Sequence, residues 1–548
     1  MEESGKDSGA HSRRRASERD GGGFGRRAFL GTAAATVPVA LAGCTGGGGD
    51  GSGGGGDGNG SGSSGTPTSG GTLQWGGAVP VQGLDPHLDS AAASKRVLEN
   101  IYEELVQLQN DYSLKPHLAK SLEKSEDNTV LTMALQEGVT FHNGKEMTAE
   151  DVLASYERVA NGEYLATGFF DFVEGMRTPD EYTFEVQLTE PFAPFIAKMA
   201  TAELAIMPAE DAKKGKISDP VGTGPYQFAG REIETSFTMT KFDDYWDGGG
   251  DDGPFIEKIV KSEIKDPSVR LQSFQAGEYD FINGIAPKDV ETVKNAPGTR
   301  FEKQFPKSLV YLGMNCAEKP FDDKHARLAL DFALDKEKIA QAALYGTGRT
   351  TATPAAPDSP WVNPDVKPRP RDLEKARAHL EKAGMPDGYS ATFKIPQSYP
   401  TQVQGAKVIA DMASDVGIDL QIQKITWSSW LSDVYSKRNF QATTSSYLAL
   451  WYPDVSFYKF LHPKGAFFFT GWTNEEYNGL VEKARHLYDE KERAALYHRA
   501  TEILHRERAG HLFLWWQANL YGATTAYKGD IGAPDGSTLR FRNNWLDR

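Results

Sequence analysis

Hydrophobic and polar positions follow two different periods along this chain, and the two trade places repeatedly. In "YTFEVQL", Tyr182, Phe184, Val186 and Leu188 recur at every second position, which places them on one face of a strand. "TAEDVLASYERVA" instead carries Val152, Tyr156 and Val159 at helical spacing, behind the capping pair Thr148 and Asp151. "DLEKARAHLEKAG" puts Leu373, Ala376, Leu380 and Ala383 on one stripe, closed by Gly384 and then Pro386. "TNEEYNGLVEKARHL" reads as a further helix, capped by Thr473 with Glu476 and carrying Tyr477, Leu480, Val481 and Ala484 inward. Mixed strands and helices over 548 residues predict α/β or α+β layers in more than one lobe, with no internal repeat.

This patterning starts only near Thr72. Upstream, residues 25–44 read "GRRAFLGTAAATVPVALAGC". Arg26 and Arg27 form a twin-arginine pair followed by a mostly apolar run, Ala28 to Ala42. That run falls short of the ~20 apolar residues a bilayer span needs, so it reads as an export signal over 1–44. It ends in Leu41-Ala42-Gly43-Cys44, which resembles a lipobox whose cysteine is lipidated. The Gly- and Ser-rich segment 45–70 cannot bury a core and reads as a tether. About 26 residues of this kind reach roughly 28 Å by random-coil scaling. The expected location is the extracytoplasmic face of the cell membrane, by lipid anchor.

Composition narrows the function classes. At 39% hydrophobic and 25% charged residues, the chain has ample material for a core. A net charge of -15 argues against nucleic acid, whose phosphates need clustered Lys and Arg. Two cysteines, Cys44 and Cys316, make no disulfide framework, and Cys316 reads as a small buried hydrophobe. The chain carries no G-x-S-x-G, no H-E-x-x-H and no phosphate-loop motif. "PVGTGPYQF", Pro220 to Phe228, reads as a tight turn entering a strand. The eleven histidines are scattered, and His142, His505 and His511 read as structural. No catalytic residue, metal or cofactor is therefore expected. The aromatic clusters are ambiguous. Trp427 and Trp430, Tyr447 to Tyr458, and Trp515, Trp516 and Tyr521 could each be core or ligand surface.

Several stretches in a fixed order resemble the extracellular solute-binding proteins of family 5, the binding subunits of peptide-type ABC importers. They are "GTLQWGG", "GLDPH", "LQEGVTFHNGKEMTAEDVLASYERV", "DPVGTGPYQF", "RLQSFQAGEYDFI", "YLGMNCAEKPFDDKHARLALDFALDKEKI" and "EKARAHLEKAGMPDGY". The resemblance covers roughly Gly71 to Asp530. It implies an α/β fold: a two-lobed periplasmic-binding-protein type II clamp with an additional inserted domain. By matching motifs, lobe I comprises 71–102, 206–308 and 512–548, the inserted domain 103–205, and lobe II 309–511. Such proteins close on a solute by hinge motion and pass it to a permease driven by ATPase subunits. The implied ligand is a peptide, with oligosaccharides or another organic solute as the alternative and a monomer as the expected state. A secreted hydrolase or a surface adhesion protein is the rival from another class.

One departure bears on specificity. Peptide-binding relatives carry the aspartate of a "W-x-x-D" stretch in lobe II that pairs with the peptide's ammonium. Here Leu450, or Trp451 in a register shifted by one, stands at that site. Neither accepts a hydrogen bond, so Asp454 is the candidate replacement. The family's "W-x-x-F-L" is kept as Trp427 to Leu431. The expected ligand-binding residues are thus Trp427, Tyr447, Leu450, Trp451, Asp454 and Trp516.

Overall fold

The computed structural model describes residues 66–89, 91–248, 252–448, 451–533 and 535–548. Arg26, Arg27, Cys44, the whole 1–44 signal, most of the 45–70 tether, and Leu450 lie outside the described residues.

Two long strands, Thr299–Met314 and His511–Thr524, run antiparallel at the centre of an eleven-stranded sheet. On one side the order continues through Ala442–Leu448, Tyr389–Pro396 and Ile418–Ile425. On the other it continues through Phe281–Asn283, Thr72–Gly77, Lys258–Glu263, Ser236–Lys241 and Tyr226–Glu232. The two central strands therefore belong to both halves and join them, which makes the molecule a two-lobed α/β clamp.

Lobe II is covered on both faces. Val310, Leu312, Leu512, Leu514 and Trp515 face a core with Leu330, Phe393 and Ile409. Leu309, Tyr311, Phe513 and Trp516 face the opposite core with Trp430, Phe457 and Tyr497. Strict alternation would put Leu514 and Trp515 on opposite faces. A register shift between Val310 and Tyr311 inserts an extra residue there and sends both to the same side. Burial on both faces is why "HLFLWWQANLYG" reads as an unbroken apolar run.

Lobe I has its own core around Leu73, Trp75, Phe237, Ile259 and Phe541. A third core, from Leu105 to Ile206, fills a separate four-stranded antiparallel sheet (Ala119–Lys124, Val130–Leu135, Thr183–Leu188, Val173–Asp180) and helix Ala149–Asn161. Phe184, Val186 and Leu188 point into that core as their spacing predicts, as do Val152, Tyr156 and Val159. The Asp151 carboxylate accepts the Thr148 N–H at 3.0 Å and the Ala209 N–H at 2.8 Å, so the cap also ties the helix to the chain beyond it.

Three local expectations change. Helix Glu475–Arg485 is capped by Asn474, not Thr473, because the Asn474 side chain accepts the Tyr477 N–H at 2.9 Å from an extended backbone. Cys316 is half-buried rather than buried. Thr68 and Gly70 already bond to Leu546 and Phe255, at 3.0 and 2.7 Å, so the last residues of the expected tether pack on lobe I. In the "PVGTGPYQF" turn, a Cβ on Gly222 or Gly224 would collide with the backbone carbonyls of Ile101 and Asn100. Those glycines serve a backbone crossing. Among the described residues, no helix is long and apolar enough to cross a membrane.

Candidate functional site: a charged cleft between the lobes

The site lies where lobe I, lobe II and the third body meet. On the lobe II side, Tyr389–Pro396 runs parallel to both its neighbours, so Pro396, Ile425 and Leu448 end at one edge of the sheet. Ligands of open α/β sheets bind outside such carboxyl ends. Leu448 is 54% exposed there and lies opposite Ser308 of the first central strand. Lys307, next to Ser308, sits in a second register shift between Gln304 and Ser308.

Beyond Leu448 the chain turns into the helical turn Asp454–Lys459. Trp451 and Tyr452 pack on Leu108 and Ala197 of the third body. The same seam holds an open crevice of ≈ 340 Å³ lined by Tyr112, Leu114, Trp361, Trp451, Tyr452 and Arg493 among others. Asp454 is buried and its Oδ1 lies 2.6 Å from Arg485 Nε. The Arg485 guanidinium lies 3.7 Å from the Tyr458 ring centroid and 4.9 Å from that of Phe192 in the third body. His486 Nδ1 lies within hydrogen-bond reach of the Pro191 carbonyl at 2.8 Å, and the Phe192 N–H donates to the Tyr488 hydroxyl at 3.2 Å.

The lobe I wall is helix Ala92–Leu98 and the chain that follows it. Lys95 Nζ meets Glu203 Oε1 at 2.6 Å, and Lys198 meets Glu203 Oε2 at 3.3 Å. Burial opposes ionisation of Glu203, but Lys198 and Lys95 together hold its carboxyl well below the usual range. Lys459 reaches the same region from lobe II and lies 4.5 Å over the Phe169 ring. Burial pulls its pKa down, and attraction to Asp454 and Glu203 only partly restores it.

Several other charged groups form no ion pair among the described residues. Burial, with Asp535 and Glu104 nearby, pushes the Glu99 carboxyl well above its ordinary range. Burial raises Glu104 to about 7, against the pull of Arg540. Burial and the nearby Arg96 lower Lys307 to about 8. Lys307 is itself exposed to solvent. Glu103 has the opposite fate to its neighbour. It bonds to His117, Tyr245, Trp246 and Thr223 at 2.7–2.9 Å and is a fixed structural node.

The sequence-predicted residues are thus divided. Trp451 and Asp454 stand together at the seam between lobe II and the third body. Trp427 is half-buried just beyond the end of Ile418–Ile425, stacked on Trp430 with centroids 4.9 Å apart. Tyr447 lies inside lobe II, stacked on Phe460 and Tyr311 and bonded through its hydroxyl to His511. Trp516 is also interior. Sequence reasoning missed Arg96, Glu99, Glu104, Lys307 and Asp535. "SKRVLENIYEELV" did carry a signal, since five charged residues interrupt a stretch whose Val97, Leu98, Ile101, Tyr102 and Leu105 are core.

Comparison with known proteins agrees with this architecture. The description "Bacterial extracellular solute-binding proteins, family 5 Middle" fits residues 113–469, more than half of the chain. The chain belongs to this family. Heme-binding protein A of Haemophilus influenzae is 27% identical over 452 residues, covering 75% of this chain and 80% of that protein. Di/tripeptide-binding protein 1 of Pseudomonas aeruginosa is 28% identical over 446 residues, covering 74% and 81%. The periplasmic binding protein DppA of Helicobacter pylori, solved with the peptide STSA, superposes with a TM-score of 0.72 at 25% identity, covering 88% of this chain and 99% of that one. As a family 5 member the chain is an extracytoplasmic solute-binding protein of the ABC-importer class.

Proposed function

We propose that this protein captures peptides between its lobes and delivers them to a membrane permease and its ATPase. The observation that carries the reading is a two-lobed clamp whose lobes are joined by two strands, with an open crevice at the seam lined by both aromatic and charged side chains, Trp451, Tyr452 and Arg493 among them. Backbone and terminal charges are what all peptides share, and a charged, water-filled cleft recognises them while tolerating varied side chains. A di/tripeptide-binding relative and a neighbour solved with a bound peptide support it. The heme-binding relative, at nearly the same identity, favours a second reading in which the cargo is another organic solute. The missing acid at Leu450 or Trp451 points the same way. Trp451 in the crevice is our candidate for contact with ligand side chains, and Trp427 for the sheet edge.

Native mass spectrometry of the full chain, purified from membranes, tests this. Co-purified masses that resolve into peptide fragments are expected; a single non-peptide organic mass would favour the second reading. We also propose that Arg26 and Arg27 direct export and that Cys44 carries the lipid. Cys44→Ser is expected to move the protein from the membrane fraction to the medium or periplasm as a monomer.

A further inference from the structure

Helix Glu490–Glu507 brings Arg493 to the crevice between lobe II and the third body. Arg493 is 6% exposed. Its Nη2 donates to the Tyr452 hydroxyl at 2.6 Å and its Nε to the Ala484 carbonyl at 3.1 Å. The guanidinium lies 5.0 Å from the ring centroid of Trp361 and 5.2 Å from that of Tyr452. All of these partners are neutral. Asp454, two residues from Tyr452, is taken by Arg485 at 2.6 Å. Glu490, three positions before Arg493 and also lining the crevice, is exposed and forms no ion pair among the described residues. A buried guanidinium without an anion keeps its desolvation cost, and an arriving carboxylate recovers part of it.

The rest of the lining limits what can carry that carboxylate. Two cations, Arg493 and Lys124, stand against the single acid Glu490, in a chain of net charge -15. Lys124 lies 5.2 Å from the Tyr488 ring centroid and likewise forms no ion pair among the described residues. The remaining walls are mostly apolar and aromatic, Leu114, Trp361 and Trp451 among them, around ≈ 340 Å³. Such walls cover methylene groups, so a short aliphatic stem ending in a carboxylate matches both parts of the lining. Tyr112 bridges the seam here. It holds φ +66, and its hydroxyl donates to the Pro357 carbonyl of lobe II at 3.0 Å. Left-handed backbone at a bulky residue is strained, and such strain concentrates at functional positions.

We propose that the crevice seats an acidic side chain of the bound peptide, with Arg493 as the residue that determines the preference. Peptides bearing glutamate or aspartate are then selected over their neutral amides. This rests on the peptide reading above and adds the side-chain chemistry to it.

Calorimetric titration of the detergent-solubilised full chain with Ala-Glu-Ala and Ala-Gln-Ala tests the proposal without a variant. The isomers that place Glu or Gln first or last complete three pairs. In at least one pair the glutamate peptide is expected to bind about tenfold or more tighter than its glutamine counterpart. Equal affinity within all three pairs, or tighter glutamine peptides, overturns the seat and leaves peptide capture intact. Arg493→Gln should bring the favoured pair to equal affinity, whereas Arg493→Lys, which keeps the charge without the fork, should keep part of the preference. Ser113→Trp, on the hairpin turn that also lines the crevice, fills the space without altering the buried arginine and should abolish the same preference. A preference that survives Ser113→Trp and any folded Arg493→Gln belongs to another cation and overturns the assignment. If no peptide binds, free glutarate is the probe. Glutarate that binds the wild type and not Ser113→Trp keeps the seat and removes the peptide reading, and no binding of glutarate removes both.

Discussion

His511 is fully buried in lobe II, with Tyr447 at its Nε2 and Tyr311 and Phe513 against its ring. Burial, with help from the Arg508 charge, holds its pKa at about 3. Burial also holds His87, His142 and His505 near 4. An unfolded chain takes up these protons near 6.5, so between there and the folded values the unfolded state binds more protons. The stabilisation is full above pH 6.5 and drains as pH falls, by roughly 1.4 kcal/mol per unit for each such histidine. His117, raised by its Glu103 pair against burial, acts with the opposite sign at higher pH, but it is outnumbered. The thermal midpoint is expected to fall steadily from pH 7 to pH 4, and His511→Gln should flatten that slope in scanning calorimetry. Asp454 shows the same cost of burial for an acid. Asp454→Asn leaves Arg485 uncompensated and should lower stability by about 3 kcal/mol in urea denaturation. The folded variant should bind peptide as the wild type does. Lost affinity with stability intact would instead make Asp454 the group that meets the ligand's ammonium.

At the scale of elements, the loop between Ile531 and Phe541 decides how lobe I meets the central strand. It lies flat along residues 304–306: Gln304 donates to the Ala533 carbonyl at 2.7 Å and Asn519 to the Gly536 carbonyl at 2.6 Å. Gly536 has φ +71, and a Cβ there would fall on the Pro306 carbonyl oxygen. Gly536→Ala should therefore cost more than about 1 kcal/mol, visible as a lower thermal midpoint. No sequence signal identified this contact, because it joins residues more than 200 positions apart. Elements whose cause is local were legible. The Thr148–Asp151 cap, the strand with Phe184 and Val186, and the stripe of Ala376 and Leu380 follow from period and capping chemistry alone. The family resemblance supplied the clamp. The cleft charges were not legible, since partnership distinguishes Glu104 from Glu103 and Arg96 from Lys95, and only the fold assigns partners. Tyr447 and Trp516 have the same residue character as a ligand surface, but strands covered on both faces turn them inward.

At the scale of the whole molecule, two central strands connect the lobes, and a second set of contacts clasps lobe II to the third body. Those contacts are His486 with Pro191, Tyr488 with Phe192, and Arg485 against Phe192. They border the crevice that Tyr488 and Trp451 line and depend on the lobes being together, so they stabilise the closed state with or without a ligand. Observed affinity is the intrinsic affinity scaled by the closed fraction, so weakening the clasp should weaken every ligand alike. Tyr488→Ala removes the acceptor of the Phe192 N–H and the ring that lies 5.2 Å from Lys124. Loss of about 1.4 kcal/mol from such contacts lowers affinity about tenfold. Peptides of different length and side chain should weaken by the same factor. Small-angle scattering supplies the structural readout. The ligand-free Tyr488→Ala protein should have a larger radius of gyration than the wild type, and saturating peptide should return both to the same compact value. A uniform loss of affinity without expansion would mean that Tyr488 touches the ligand itself, from the same crevice that Trp451 lines.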